Sequence, residues 1–193
     1  MPRSEQRIRR IRSVLASRQT DLTVVMENIY DPHNVSAIMR TCDAVGILKA
    51  ELLYYSEPFP RIGKKSSSSA GKWVDRRKHH SVAECYDTLR SEGFHIYAAM
   101  LRDSSHSLFD LDLTRPVALV FGNEHRGVSE EAARLSDGAF RIPMLGMIES
   151  LNVSVACAVT LYEALRQRLG HTGIDHGMDT TKMEEMVEEW LKR

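Results

Sequence analysis

Apolar residues recur along the chain in two rhythms, one of helices and one of buried strands. From Ser4 to Arg18, Ile8, Ile11 and Leu15 form a narrow stripe with Arg at most other positions, which predicts a basic amphipathic helix docked by one face. Leu22–Met26 is a short β-branched run of strand character. Asp31-Pro32 then opens a second helix, in which Val35, Ile38, Cys42 and Val45 share a face and which Gly46 ends. An apolar run at Leu48–Tyr55 is followed by a Pro-, Lys- and Ser-rich stretch to Gly71 and by Trp73-Val74. Helix Val82–Ser91 leads to strand Phe94–Ala99, and a fully apolar strand, Val117–Phe121, runs into Gly122-Asn-Glu-His-Arg-Gly127. A helix begins near Ser129, Ala139–Ile142 is extended, and a long helix is expected from about Ser150 to Leu169. Thr180–Lys192 reads as a terminal helix, with Met183, Met186, Val187, Trp190 and Leu191 opposite four Glu.

Strands that read as continuous apolar runs and alternate with helices predict an α/β fold, a parallel Rossmann-like sheet with helices on both faces. With 193 residues and 42% hydrophobic content, one domain spanning 1–193 is expected, with helices 4–18 and 180–192 as extensions. There is no internal repeat. Ser66–Ser69, the one low-complexity stretch, suggests a hinge or flap. No apolar run reaches the roughly 18–20 residues of a membrane span, and the Arg-rich start lacks a signal-peptide core. Cys42, Cys85 and Cys157 are sparse and unpaired in pattern, which suits a soluble, cytoplasmic protein.

Charge changes the picture. The 26 Lys+Arg balance 26 Asp+Glu, yet residues 1–20 carry six Arg against Glu5, and residues 61–78 carry seven Lys or Arg against Asp75. Clustered cations of this kind attract polyanions whatever the total, or else form a solvated face.

Three stretches carry candidate chemistry. Gly122–Gly127 is spaced like a phosphate loop, but Val128-Ser129 replaces the Lys-Ser/Thr that would reach phosphates, and no GxGxxG occurs. Glu124 and Arg126 are left as polar groups beyond a strand's carboxyl end, where open α/β sheets bind ligands. Metal-ligand spacing and a GxSxG elbow are both missing, which leaves a metal-free, non-covalent mechanism. In the second helix, Arg40 lies about 140° from Val35 and so points away from the core; it either pairs with Asp43 or does chemistry. Asn34, in the first turn, either caps that helix or serves a site. In Ile142-Pro143-Met-Leu-Gly146-Met-Ile-Glu-Ser150-Leu151-Asn152, a turn precedes the long helix and Ser150 is its natural N-cap, whereas capping does not explain Asn152. Leu151, Val155, Ala158, Tyr162, Leu165 and Leu169 make one face of a helix apolar almost all round, suited to a core or a subunit interface.

Together, Asn34…Arg40, Val120-Phe-Gly122-Asn-Glu124…Gly127-Val-Ser129 and Ile142-Pro143…Ser150-Leu-Asn152-Val-Ser154 resemble the three motifs of the SpoU branch of the SPOUT RNA ribose 2′-O-methyltransferases. The Arg18-Gln19-Thr-Asp21-Leu22 segment and Arg166-Gln-Arg168 resemble the members that act on guanosine 18 of the tRNA D loop. The resemblance implies a C-terminal deep trefoil knot, which periodicity does not show, and a homodimer with the site across its interface. It implies S-adenosyl-L-methionine as cofactor, held at Gly122, Ile142, Leu151 and Leu101. Catalytic roles fall on Arg40, at the hydroxyl and phosphate, on Ser150 and Asn152 for positioning, on Asn34 for support of the site and on Glu124 in the loop near substrate. Arg7, Arg10, Arg18, Lys64, Lys65, Lys72, Arg166 and Arg168 would engage tRNA phosphates. Ser66–Ala70 fits the family only loosely, and Glu149 stands where relatives often have Gln. The alternatives are a methyltransferase of another tRNA or rRNA ribose, an RNA-binding protein without catalysis, and a nucleotide-binding α/β protein.

Overall fold

A computed structural model describes residues 5–60, 70–170 and 178–193. Seven strands form one sheet in the order β3-β2-β1-β6-β4-β7-β5, all of whose pairings are parallel. The strands are β1 Leu22–Glu27, β2 Lys49–Leu53, β3 Asp75–His79, β4 His95–Ala99, β5 His106–Ser107, β6 Val117–Phe121 and β7 Gly138–Arg141. Central β1 and β6 are buried along their whole length, as a strand covered on both faces must be.

The alternation of side chains along each strand feeds two cores. Val24, Met26, Leu119 and Phe121 face α2 (Pro32–Val45) and α5 (Val153–Leu169), while Val25, Ala118 and Val120 face α3 (Val82–Ser91) and α4 (Glu130–Leu135). Val35, Ile38, Cys42 and Val45 are buried together as their spacing predicts. Gly46 caps α2 at φ 86°, and a Cβ there would stand 2.6 Å from the Ser17 carbonyl oxygen. A third cluster joins α1 (Glu5–Leu15) to α6 (Thr180–Trp190), with Ile11, Leu15, Met186 and Trp190 packed over Leu48. The terminal helix thus finds its partner in the first one.

The structure adds one strand to the sequence reading, corrects two helix caps and shows which side of the long helix is buried. The strand Asp-Arg-Arg-Lys-His at β3 is illegible from hydropathy because charge pairing, not apolar burial, holds its inward side: Arg77 donates to Glu51 and Glu92, and His79 Nε2 lies 2.7 Å from Glu51 Oε2. The long helix begins at Val153, so its N-cap is Asn152 rather than Ser150: the Asn152 side chain accepts from the Ser154 and Val155 N–H groups. Asp31, not Asn34, caps α2. On α5 the buried residues are Cys157, Thr160, Leu161, Ala164 and Arg168, whereas Val155, Tyr162 and Leu169, with Leu151 just before the helix, are exposed, so that this face is not part of the core of the chain.

One connection matters for the site. β4 and β5 flank β7, with Phe140 registered against both Ala99 and His106, so the loop 100–105 crosses from one flank of β7 to the other. Met100 N–H donates to the Phe140 carbonyl at 2.8 Å where that loop starts.

Candidate active site

The carboxyl ends of β4, β6 and β7 open into a cleft of about 640 Å³, the place and size at which open α/β sheets bind small ligands. Gly122, Ile142, Leu151 and Leu101, drawn from three separate loops, all line it, as do Glu124, Ser150 and Asn152. Gly122 is glycine for an internal reason. A Cβ there would meet the Gly127 carbonyl carbon and oxygen at 2.1 Å and Val128 N at 2.2 Å, because the loop folds back on its own start. The turn is closed by Gly127 N–H donating to the Asn123 carbonyl at 2.8 Å, with Gly127 at φ 70°.

A polar chain runs along one wall. Glu124 Oε1 accepts from Asn34 Nδ2 at 2.8 Å and from Asp31 N–H at 3.0 Å, while its Oε2 accepts from Tyr30 N–H at 2.9 Å. Asn34 Oδ1 in turn accepts from Asn152 Nδ2 at 3.0 Å, and Asn152 Oδ1 accepts from Ser154 N–H at 2.9 Å. Each amide is oriented by its neighbours, since a flip of either would set donor against donor or acceptor against acceptor. Burial acting alone would raise the Glu124 pKa; the donors from Asn34, Tyr30 and Asp31 outweigh it and hold the carboxyl below its ordinary range. With both oxygens engaged, Glu124 is an ionised anchor that positions Asn34.

Arg40 is exposed on α2 and has no ion-pair partner among the described residues, because Asp43 is taken by Arg18. It does not line the cleft of its own chain. The three cysteines are buried, and burial pushes the Cys42 thiol up to about 12, which removes it as a nucleophile at neutral pH.

The expected phosphate contacts divide. Arg7, Arg10, Lys72 and Arg166 are exposed, the last beside Glu163 at 2.7 Å, and Lys64 and Lys65 lie outside the described residues. Arg18 is corrected: its side chain is 0% exposed, ion-paired with Asp43, bonded to the Ile47 carbonyl and set over the Trp190 ring at 5.2 Å. Arg168 is corrected likewise: it lies 2.5 Å from Asp21 Oδ1 and donates to the Leu113 and Arg115 carbonyls. Both guanidinium groups serve the fold and are closed to RNA.

Sequence reasoning missed Asn123 and Asn28. Asn123 Nδ2 donates to the Asn28 carbonyl at 2.8 Å, and Asn28, at φ 49°, gathers the Tyr55, Ser56 and Glu57 N–H groups on its Oδ1. The available signal was an Asn within two residues of each of two strand ends, Asn28 after Glu27 and Asn123 after Phe121-Gly122, the place where a side-chain amide replaces lost ladder bonds.

The parallel α/β sheet and its strand-end cleft, with the Glu124–Asn34–Asn152 chain on one wall, belong to a chain whose sequence and fold match a class of RNA-modifying proteins. The chain belongs to the SpoU rRNA methylase family, whose model matches residues 21–162. It is 47% identical over 192 residues, 99% of this chain and 98% of the relative, to the tRNA (guanosine(18)-2′-O)-methyltransferase of Thermus thermophilus. The Escherichia coli protein of the same name is 43% identical over 84% of this chain and 70% of its own length. Among solved structures, the Aquifex aeolicus TrmH/SpoU tRNA modifying enzyme superposes with a TM-score of 0.90 at 37% identity, covering 97% of this chain and 96% of that one. AviRb of Streptomyces viridochromogenes, solved with AdoMet, gives a TM-score of 0.70 at 26% identity over 80% of this chain and 60% of its own.

Proposed function

We propose that the protein methylates the ribose 2′-OH of guanosine 18 in the tRNA D loop, using S-adenosyl-L-methionine. The observation that carries this is the Glu124–Asn34–Asn152 chain, which ties all three sequence motifs to the wall of one cleft. The relatives named for this reaction cover nearly the whole chain. The cleft fits the cofactor: its volume suits a nucleoside with an amino-acid arm, and Leu101, Ile142 and Leu151 offer apolar contact beside the backbone at Gly122. When bound, S-adenosyl-L-methionine supplies an electrophilic methyl group on a sulfonium.

The remaining work belongs to this chain. Asn152 and Ser150 stand at the mouth of the cleft, where they can orient a ribose, and Asn34, itself held by Glu124, fixes Asn152. Arg40 offers a guanidinium fork, which suits contact with the adjacent phosphate and stabilisation of a developing alkoxide. Its exposure away from its own cleft is what a site completed by a second copy requires. We therefore include a homodimer in the proposal. Its interface would be the exposed apolar surface of Leu145, Met147, Ile148, Val155 and Tyr162. The proposal also includes a single domain and a trefoil knot, supported by the loop 100–105 that bridges the two flanks of β7.

The test is direct. The full chain is incubated with methyl-labelled S-adenosyl-L-methionine and unmodified tRNA, and the product is mapped by nuclease digestion and mass spectrometry. A 2′-O-methyl group at guanosine 18 is expected. Label confined to rRNA or to another tRNA ribose would sink the assignment.

A further inference from the structure

Strand β3 separates its charges by face. Arg77 and His79 turn toward Glu51, while Arg76 and Lys78, on the opposite face, are exposed and have no ion-pair partner among the described residues. The parallel register fixes which face that is. Arg76 lies beside Ala50 and Lys78 beside Leu52, and both neighbours belong to the core beneath α2 and α5. α2 is the helix that presents Arg40, and the 3-10 turn Ala70–Lys72, whose Lys72 is exposed, packs against α2. Four cations from three elements therefore share one side of the sheet.

We propose that Arg76 and Lys78 form a phosphate-binding edge that continues, through Lys72, the surface presenting Arg40, and that the sugar-phosphate backbone of tRNA lies along it. Same-face residues on a strand stand about 6.7 Å apart, so two neighbouring cations can hold two anionic groups of one extended backbone. Charge on an edge strand also discourages strand addition, but a single Lys would do that, and it would not require two cations aligned with Arg40. The proposal rests on tRNA being the substrate and specifies which further side chains hold it.

Binding of unmodified tRNA is measured as a function of salt for wild type, for Arg76→Glu/Lys78→Glu, for the milder Arg76→Gln/Lys78→Gln, and for Arg134→Glu. Arg134 is an exposed cation on α4, which covers the other side of the sheet. Thermal melting and S-adenosyl-L-methionine binding confirm that each variant is folded. The Glu pair is expected to weaken binding at least about tenfold, and either pair to reduce the log–log salt slope by about 2, one for each lost phosphate contact. Arg134→Glu is expected to change neither. Unchanged slopes in both pairs, or an equal loss with Arg134→Glu, would overturn the proposal, as would competition by an acidic peptide that matches tRNA. Because binding is read without turnover, tRNA that binds along this edge but receives no methyl group would refute the proposed reaction alone.

Discussion

Asn34 Nδ2 donates to Glu124 Oε1 at 2.8 Å across 90 positions of sequence, and this bond aligns the amide that orients Asn152. Glu124→Gln replaces one acceptor oxygen by a donor that faces Asn34, Asp31 or Tyr30. The turnover rate is expected to fall about 100-fold, a positioning loss of about 2.7 kcal/mol, with S-adenosyl-L-methionine affinity within about threefold of wild type. Single-turnover transfer alongside calorimetric binding separates the two. Loss of binding equal to the loss of rate would show instead that Glu124 holds the cofactor loop.

The same carboxylate gives a pH signature. Its folded pKa is depressed below the ordinary 4.5, so the stability it adds is present above the unfolded value and is lost as pH falls through the folded value. The difference in Tm between wild type and Glu124→Gln is expected to be constant from about pH 6 to 8 and to shrink below about pH 4.5. Melting curves across that range check it, and a difference that persists undiminished at pH 3 would contradict it.

Arg40→Ala removes an exposed side chain with no ion-pair partner among the described residues, so Tm is expected to stay within about 1 °C of wild type. Cofactor binding should persist while methyl transfer is abolished. Parallel loss of cofactor binding would assign Arg40 a structural role.

Arg166 and Arg168 should separate cleanly. Arg168→Ala leaves Asp21 and the Leu113 and Arg115 carbonyls without their donor; a cost of about 3 kcal/mol, or roughly 6–12 °C in Tm, is expected. Arg166→Ala should leave Tm nearly unchanged and weaken tRNA binding. Differential scanning calorimetry and filter binding on both variants decide, and the reverse pattern would refute the division.

Gly122→Ala places a methyl group 2.1 Å from the Gly127 backbone, where no side chain can give way. Loss of S-adenosyl-L-methionine binding is expected, with the loop rather than the whole fold displaced. Calorimetric titration checks it, and near-normal affinity would mean that the loop tolerates opening.

What could be read from the chain was set by periodicity. α2 was legible because four apolar residues recur at helical spacing and its stop is a glycine in a left-handed conformation. β1 and β6 were legible because short, β-branched apolar runs suit a doubly covered strand. β3 was not, because its inward groups are charged and their partners lie 26 and 15 residues away. Arg168 was misread for a subtler reason. Its position four residues after Ala164 places it on the buried side of α5, but a helix apolar on nearly every side conceals which side is inward. Likewise, Ser150 and Asn152 both carry capping side chains, and it is the start of the helical backbone at Val153 that makes Asn152 the cap.

Both ends of α5 are tied to a region made long before it. Asn152 reaches Asn34 across 118 positions at the carboxyl end of the sheet, and Arg168 reaches Asp21 across 147 at the opposite end. A helix of 17 residues, about 25 Å long, thus acts as a strut cut to the height of the sheet. Among the described residues, every strand lies before position 142, ahead of this helix in the chain. The wall of the cleft is completed only where the start of this strut meets Asn34, so the last-made part of the site is a helix end and not a strand.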